Sequence, residues 1–270
     1  MGGPHVPAAY PEPSRRLLMR PGSVHRFYVA PGQVSKGQVR FTPEQAQQIG
    51  RVLRLKRGDT LTVFDGTGVE YAAELIELGA GKATARLGER RPTTAEPALR
   101  LILLQGVVKG EKMDLIVQKA TELGVGRVVP VLCERSVPRG VGRPARWRII
   151  AREAAEQCGR TLLPEIDDPV SLSAFFAAER SAGLAGITLW EDERCRGLRE
   201  AVQLVAKAER LHLFVGPEGG LAAHEVRLAE ETGLHAASLG RWTLRAETAA
   251  LAALGIIQYE LGDLGLPSTG

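Results

Sequence analysis

From Leu99 to Leu261 short apolar runs alternate with amphipathic stretches of helical length, and this alternation restricts the fold more than any other feature of the chain. Strands are expected at Leu99–Val108, Val128–Leu132, Ile187–Trp190, Leu211–Val215 and Ala236–Leu239. Helices are expected at Lys112–Leu123, Arg143–Cys158, Ser171–Glu179, Leu198–Ala208, Ala222–Thr232 and Glu247–Leu261, with Gly124, Gly159 and Gly233 as stops. Met113, Ile116, Val117, Ala120 and Leu123 form one stripe of the first of these. Strands divided by helices of this length predict an α/β domain over 99–263, its mostly parallel sheet covered on both faces. Such sheets bind ligands beyond the C-terminal ends of their strands, so the loops after Trp190, Val215 and Leu239 are the candidates.

Residues 24–91 read differently. Apolar patches at Arg26–Val29, Gln38–Phe41, Thr60–Phe64, Glu70–Leu75 and Lys82–Leu87 are separated by turn dipeptides such as Lys36-Gly37 and Asp65-Gly66, which predicts a small β-barrel. Thr42-Pro43-Glu44 opens one helix, expected over Gln45–Leu53, that runs into Arg51, Arg54, Lys56 and Arg57. Residues 1–97 carry 14 Lys and Arg against 9 Asp and Glu, whereas residues 98–270 carry 21 against 22. The basic excess therefore sits in the N-terminal third, where it suits either a polyanion or a solvated face. The two-aromatic signature of an RRM-like surface is missing. Residues 92–98 read as a linker and residues 1–23, rich in Pro, Gly and Arg, as a disordered extension in which Met19 is an alternative start.

The 270 residues contain no apolar run of membrane-spanning length. Cys133, Cys158 and Cys195 have neither zinc-site nor disulfide-framework spacing, so no metal is expected; buried, reduced thiols in a cytoplasmic protein fit them.

Two strand-to-helix junctions lie close together. The first reads Phe214-Val215-Gly216-Pro217-Glu218-Gly219-Gly220: glycine lets backbone approach a ligand closely, and the helix start beyond it exposes free N–H groups. Glu218 would repel a phosphate, and both the P-loop pattern and GxGxxG are missing. A cofactor with a ribose and a cation but no phosphate fits better. The second junction carries Leu239-Gly240, then Arg245, Glu247 and Thr248 before a very apolar helix; Glu247 and Thr248 can cap that helix, whereas Arg245 has no evident structural duty.

Together with Gln118-Lys119-Ala120-Thr121-Glu122-Leu123-Gly124-Val125, His25-Arg26-Phe27-Tyr28-Val29, and Glu156-Gln157 with Arg160 and Pro164, these two motifs resemble the RsmE family over about residues 24–262. These are 16S ribosomal RNA uridine-N3 methyltransferases of the SPOUT class. One departure is local: Trp242-Thr243 precede Leu244-Arg245, and Ala246 stands where the family usually has Thr. The resemblance implies a trefoil-knotted C-terminal domain, a PUA-like RNA-binding barrel before it, and a homodimer with cofactor pockets at or near the subunit interface. It implies S-adenosylmethionine held largely by backbone in the loops at 189–191, 215–220 and 239–249, which include Leu189, Trp190, Glu191, Val215, Gly216, Pro217, Gly219, Leu239, Gly240, Leu244, Glu247, Thr248 and Ala249.

The sulfonium methyl is already activated, so such catalysis is mostly alignment. Uridine N3 must lose a proton, which calls for a base or for a cation beside the uracil anion. Arg245 is the candidate cation; Glu218 can accept a proton, position substrate or order its loop. N3 lies on the Watson–Crick edge, so the base must be unpaired or flipped out. His25, Arg26, Arg51, Arg54 and Arg139 are the candidate contacts to 16S rRNA, within the 30S subunit. Arg135, Arg143 and Arg146 share a basic loop with Arg139; His224 reads as a solvent-facing helix residue; Lys109–Lys112 either lines the site or is a solvated loop. Two rival readings remain beside this one: a SPOUT enzyme acting on ribose hydroxyls or transfer RNA, and a non-catalytic RNA-binding assembly factor.

Overall fold

The computed structural model describes residues 25–92, 99–136, 143–179 and 183–266. The expected extension, most of the expected linker, and Arg139 lie outside the described residues. The described chain divides into two compact units: residues 25–92 with Gly159–Leu162, and the remainder.

In the first unit, β1 (Arg26–Tyr28), β4 (Thr60–Phe64), β5 (Val69–Gly79), β6 (Lys82–Pro92), β3 (Gln38–Arg40) and β2 (Val34–Ser35) form one sheet in that order. β1 runs parallel to β4 and the other pairs are antiparallel. Phe27, Val39, Ile49, Leu61, Val63, Ala73, Leu75 and Ala85 from five of the strands and the helical segment fill a single core. β6 continues to Pro92, so Pro92 belongs to a strand and not to the linker. Gly159–Leu162, which the sequence assigns to the second unit, returns to the first: Thr67 bridges Leu162, and the Gly68 N–H donates to the Thr161 carbonyl at 3.3 Å.

The helix expected at Gln45–Leu53 is two structures. α1 (Pro43–Gln47) is capped by Thr42, whose hydroxyl accepts the Gln45 N–H at 3.2 Å. Gln48–Val52 then widens into a π turn, with the Leu53 N–H reaching the Gln48 carbonyl at 2.9 Å. The wide turn keeps Ile49 fully buried while Arg51 and Val52 face solvent.

The second unit holds a sheet in the order β10 (Val170–Ser171), β8 (Arg127–Leu132), β7 (Arg100–Gly106), β12 (Arg210–Val215), β11 (Gly186–Leu189) and β13 (Leu234–Ala237), with β9 (Glu165–Ile166) also on β8. Every one of these pairings is parallel. α2 (Lys112–Glu122), α3 (Pro144–Cys158), α5 (Leu198–Leu204) and α7 (Ala246–Leu261) cover one face; α4 (Leu172–Glu179) and α6 (Ala223–Glu231) cover the other. The strand alternation serves both faces: Leu101, Leu103, Leu211 and Leu213 enter the first core, Ile102, Leu104 and Phe214 the second.

Two of the boundaries that differ from expectation have a local cause. Gly233, at φ +107°, ends α6 so abruptly that β13 starts at the buried Leu234 and stops at Ala237, which leaves Leu239 in the loop. α5 stops at Leu204 because Val205 turns back into the core.

A cavity at the flush ends of three parallel strands

Leu189 pairs with both Val215 and Ala237, and Val215 pairs with Gln105, so four strands end in one row. Their loops must therefore emerge together. The loops after β11 and β13 are joined by backbone: Gly197 bridges Ser238, the Leu198 N–H donates to the Ser238 carbonyl at 2.9 Å, and the Ser238 N–H donates to the Arg196 carbonyl at 2.9 Å.

Between these loops and the glycine loop after β12 lies a cavity of about 870 Å3. Of the residues expected at the cofactor site, Leu189, Trp190, Glu191, Val215, Gly216, Pro217, Leu239, Gly240, Leu244 and Ala249 line it, as do both candidate catalytic residues, Glu218 and Arg245. Gly219, Glu247 and Thr248 do not. Gly219 turns outward, its carbonyl accepting from Arg135 Nη1 at 3.2 Å. Thr248 is exposed in the first turn of α7. Glu247 lies behind the wall, 3.7 Å from Lys112 Nζ. Neither Glu247 nor Thr248 caps α7, because the helix begins at Ala246 and its N-cap residue is Arg245. That position explains why an arginine can stand here: its backbone is extended and its side chain, with no capping bond, is exposed at the cavity.

The glycine loop is shaped by close approach. A Cβ on Gly106, the last residue of β7, would lie 2.5 Å from the Pro217 nitrogen, so the two loops touch backbone to backbone. Gly220 sits at φ +72°, and a Cβ there would collide with the Glu191 carboxylate.

Glu218 Oε1 accepts the Lys109 N–H at 3.1 Å and Lys112 Nζ at 3.1 Å. Burial pushes its carboxyl up, but those donors and its own backbone N–H outweigh burial and hold it below the usual carboxylate range. The solvated-loop reading of Lys109–Lys112 thus fails at Lys112, which lines the cavity. Trp190 Nε1 and Glu247 Oε2 are buried without a hydrogen-bond partner among the described residues.

Sequence reasoning missed a second group on the wall, Glu193, Arg194, Cys195, Arg196 and Ser238, and named neither Arg241 nor Trp242 individually as a lining residue within the expected loop at 239–249. The signal was present, since Glu191-Asp192-Glu193-Arg194-Cys195-Arg196 is a dense run of charge directly after a strand end. The wall is therefore bipolar: Lys112, Arg194, Arg196, Arg241 and Arg245 line it together with Glu191, Glu193 and Glu218 and with the apolar Leu189, Trp190, Val215 and Leu244.

Other expectations meet mixed ends. Cys133 is buried as expected, but Cys158 and Cys195 are exposed. Arg26 is spent inside its own unit: Nη1 pairs with Glu70 at 2.8 Å and the guanidinium lies 5.6 Å from the Phe64 ring centre. Arg51 and Arg54 are exposed and His25 is half-buried. In the basic loop, Arg146 pairs with Asp114 at 2.6 Å, and Arg143 is exposed. His224 is a surface residue 3.7 Å from Glu134. No group of His, Cys, Asp and Glu among the described residues could hold a metal ion, and no helix among them is long and apolar enough to cross a membrane.

Comparison with known proteins agrees with this architecture. Residues 95–258 match the model of an RNA methyltransferase domain, and residues 41–88 match that of an RNA methyltransferase PUA domain. The chain is 34% identical to the ribosomal RNA small subunit methyltransferase E of Synechocystis over 86% of its own length and 77% of the relative's. It is 30% identical to the protein of that name from Bacillus subtilis, over 88% and 97%. The crystal structure of the Neisseria gonorrhoeae ribosomal RNA small subunit methyltransferase E bound to S-adenosyl methionine is similar at 31% identity and a TM-score of 0.78, over 88% of this chain and 98% of that one. A putative methyltransferase from Legionella pneumophila in complex with the same cofactor has the same TM-score and coverage at 33% identity. With an all-parallel α/β unit following a PUA domain, and with relatives matched along 77–98% of their length, the chain belongs to the ribosomal RNA small subunit methyltransferase E (RsmE) family.

Proposed function

We propose that this protein transfers the methyl group of S-adenosylmethionine to N3 of a uridine in 16S rRNA, within the 30S subunit. The observation that carries the reading is the bipolar cavity at the flush ends of β11, β12 and β13. A donor with a sulfonium, an ammonium and a carboxylate suits a wall that offers both acids and arginines; its adenine suits the apolar side chains of that wall and its ribose hydroxyls the acids. The buried, unpartnered Trp190 Nε1 is a donor still lacking its acceptor. When bound, the cofactor supplies an activated methyl group.

The protein's own residues do the rest. The glycine loop and the loop of Leu239 and Gly240 bring backbone close around the ligand. Arg245, exposed at the rim, lies where a cation can stabilise the uracil anion left when N3 loses its proton. Glu218, held ionised by two donors from the β7–α2 connection, is a weak base. Loop order is the role that its geometry favours.

Arg51 and Arg54, exposed beside Lys56 and Arg57, are the phosphate contacts of the PUA unit, whereas Arg26 is held by Glu70. The catalytic unit takes the knotted SPOUT form and works as a homodimer in the cytoplasm. The dimer is supported by apolar side chains left on the surface at Ile256, Tyr259, Leu264 and Leu266, of which Tyr259 is 66% exposed.

Tritium transfer from labelled S-adenosylmethionine to unmodified 30S subunits tests the reading, followed by mass mapping of the methylated nucleoside. Label in N3-methyluridine, lost on Arg245→Ala, is the expected result. Label on a ribose hydroxyl overturns the target atom, and full-rate transfer by the Arg245 variant overturns its role.

A further inference from the structure

Three segments meet at one ammonium group. Lys112 stands at the first residue of α2, Glu218 in the glycine loop and Glu247 in the first turn of α7. Lys112 Nζ lies 3.1 Å from Glu218 Oε1 and 3.7 Å from Glu247 Oε2. The side chains are 34%, 27% and 13% exposed, in that order, so the group is shielded but not sealed. Glu247 Oε2 is buried and accepts no hydrogen bond among the described residues, which leaves Lys112 as its nearby counter-charge. The N-terminus of α7 adds a weaker attraction.

The geometry points to Lys112 as a positioning residue of the donor pocket: one cation neutralises two carboxylates and so locks the glycine loop and the start of α7 at a fixed distance. Its bearing on the methyl donor rests on the cofactor reading above, but the locking does not. Without the ammonium, two carboxylates from adjacent loops face each other with one of them largely out of water. Like charges so placed drive the loops apart or force one group to take up a proton. Glu218 would keep its bonds from the Lys109 N–H and its own backbone N–H but lose its cation. The same walls carry Arg245 and Ala249 from α7 and its N-cap, and Gly216 and Pro217 from the glycine loop, so a change in their spacing alters the cavity beyond the loss of the Lys112 group itself.

The test uses amide hydrogen exchange on the full chain without ligand, read in peptides covering residues 216–220 and 246–250. In Lys112→Met both segments should exchange about five- to tenfold faster while the middle of β12 is unchanged. Lys112→Arg should restore protection. Lys112→Met combined with Glu218→Gln and Glu247→Gln should exchange more slowly than Lys112→Met alone, because the uncompensated carboxylates are gone. Glu218→Gln by itself should loosen the glycine loop and leave α7 protected, a result available even if Lys112→Met fails to fold. Unchanged exchange in Lys112→Met, or no recovery in the triple variant, would overturn the clamp. Calorimetric titration with S-adenosylmethionine adds the second arm: about tenfold weaker binding in Lys112→Met, restored in Lys112→Arg. If the wild type gives no binding heat, the cofactor reading fails while the exchange arm still decides the clamp. If exchange and affinity hold and only kcat falls, Lys112 acts on substrate and the positioning role is wrong.

Discussion

The Glu225 carboxylate accepts the backbone N–H of Glu134 at 2.8 Å, across 91 residues of sequence. Its other oxygen accepts the Ala222 N–H at 2.9 Å, so one buried side chain starts α6 and pins the loop after β8. Glu225→Ala orphans both donors and should cost about 2–3 kcal/mol. A fall of roughly 4–12 °C in the melting temperature follows for a chain of this size. Glu225→Gln keeps one acceptor and should cost about half as much; thermal denaturation of the two variants checks both values.

Arginines of the first unit should separate into two classes. Arg26→Ala strands Glu70, 14% exposed, and should destabilise that unit by about 1–3 kcal/mol. Arg51 and Arg54 have no such partner among the described residues, and Arg51→Ala and Arg54→Ala should leave stability within about 0.5 kcal/mol. They should instead weaken RNA binding and lower the salt slope by about one each, read by filter binding at several salt concentrations. Equal effects of all three on RNA affinity, with stability unchanged, would contradict this division.

Gly220→Ala adds a methyl group at φ +72° and drives it into Glu191. The left-handed backbone alone costs about 1–2 kcal/mol for a side chain. Because Glu191 lines the cavity, donor affinity should fall by at least about tenfold as the loop shifts. Calorimetry on the folded variant measures it.

Glu218 gives a pH signature with a definite sign. Its folded pKa lies below its ordinary 4.5, so its contribution to stability is complete above 4.5 and is lost as pH falls through the lowered value. Wild type should exceed Glu218→Gln by a few tenths to about 1 kcal/mol at neutral pH, a partly exposed ion pair being worth no more. The two stability curves should converge on acidification, and a gap that opened above pH 7 would contradict the assignment.

Thiol alkylation reports on the cavity without any assay of activity. Burial pushes the Cys133 thiol up to about 12, so it should stay unlabelled in the native protein. Cys158 and Cys195 are exposed and should both react. Only Cys195 lines the cavity, so S-adenosylmethionine should slow its labelling and leave that of Cys158 unchanged, as read by peptide mass.

Strand-and-helix alternation made the parallel sheet legible, because strands buried on both faces read as near-continuous apolar runs. Gly216–Gly220 and Arg245 could be placed from the rule that ligands gather at strand ends. What stayed hidden depends on spatial partners. Lys112 and Glu218 lie 106 residues apart, and nothing local distinguishes that lysine from any other at a helix start. Arg26 and Arg51 look alike as charges, yet Glu70 and Phe64 draw one inward. The return of Gly159–Leu162 to the first unit leaves no mark in composition, since its contacts, a bridge to Thr67 and a backbone bond from Gly68 among them, are spatial. Ala236–Leu239 was offset by two residues because Gly233 serves as both helix stop and strand entrance.

Pocket walls drawn from Lys112 at one extreme and Ala249 at the other have a bearing on biosynthesis. A nascent chain emerges amino end first, and its cationic β unit can fold long before α7 leaves the exit tunnel. Even then α7 must dock, with Gln258 Nε2 reaching the Leu123 carbonyl at 2.9 Å, before its first turn can close the cavity. Until that late step the growing polypeptide has its β unit but not the closed cavity, so the order of synthesis fixes the order in which the two appear.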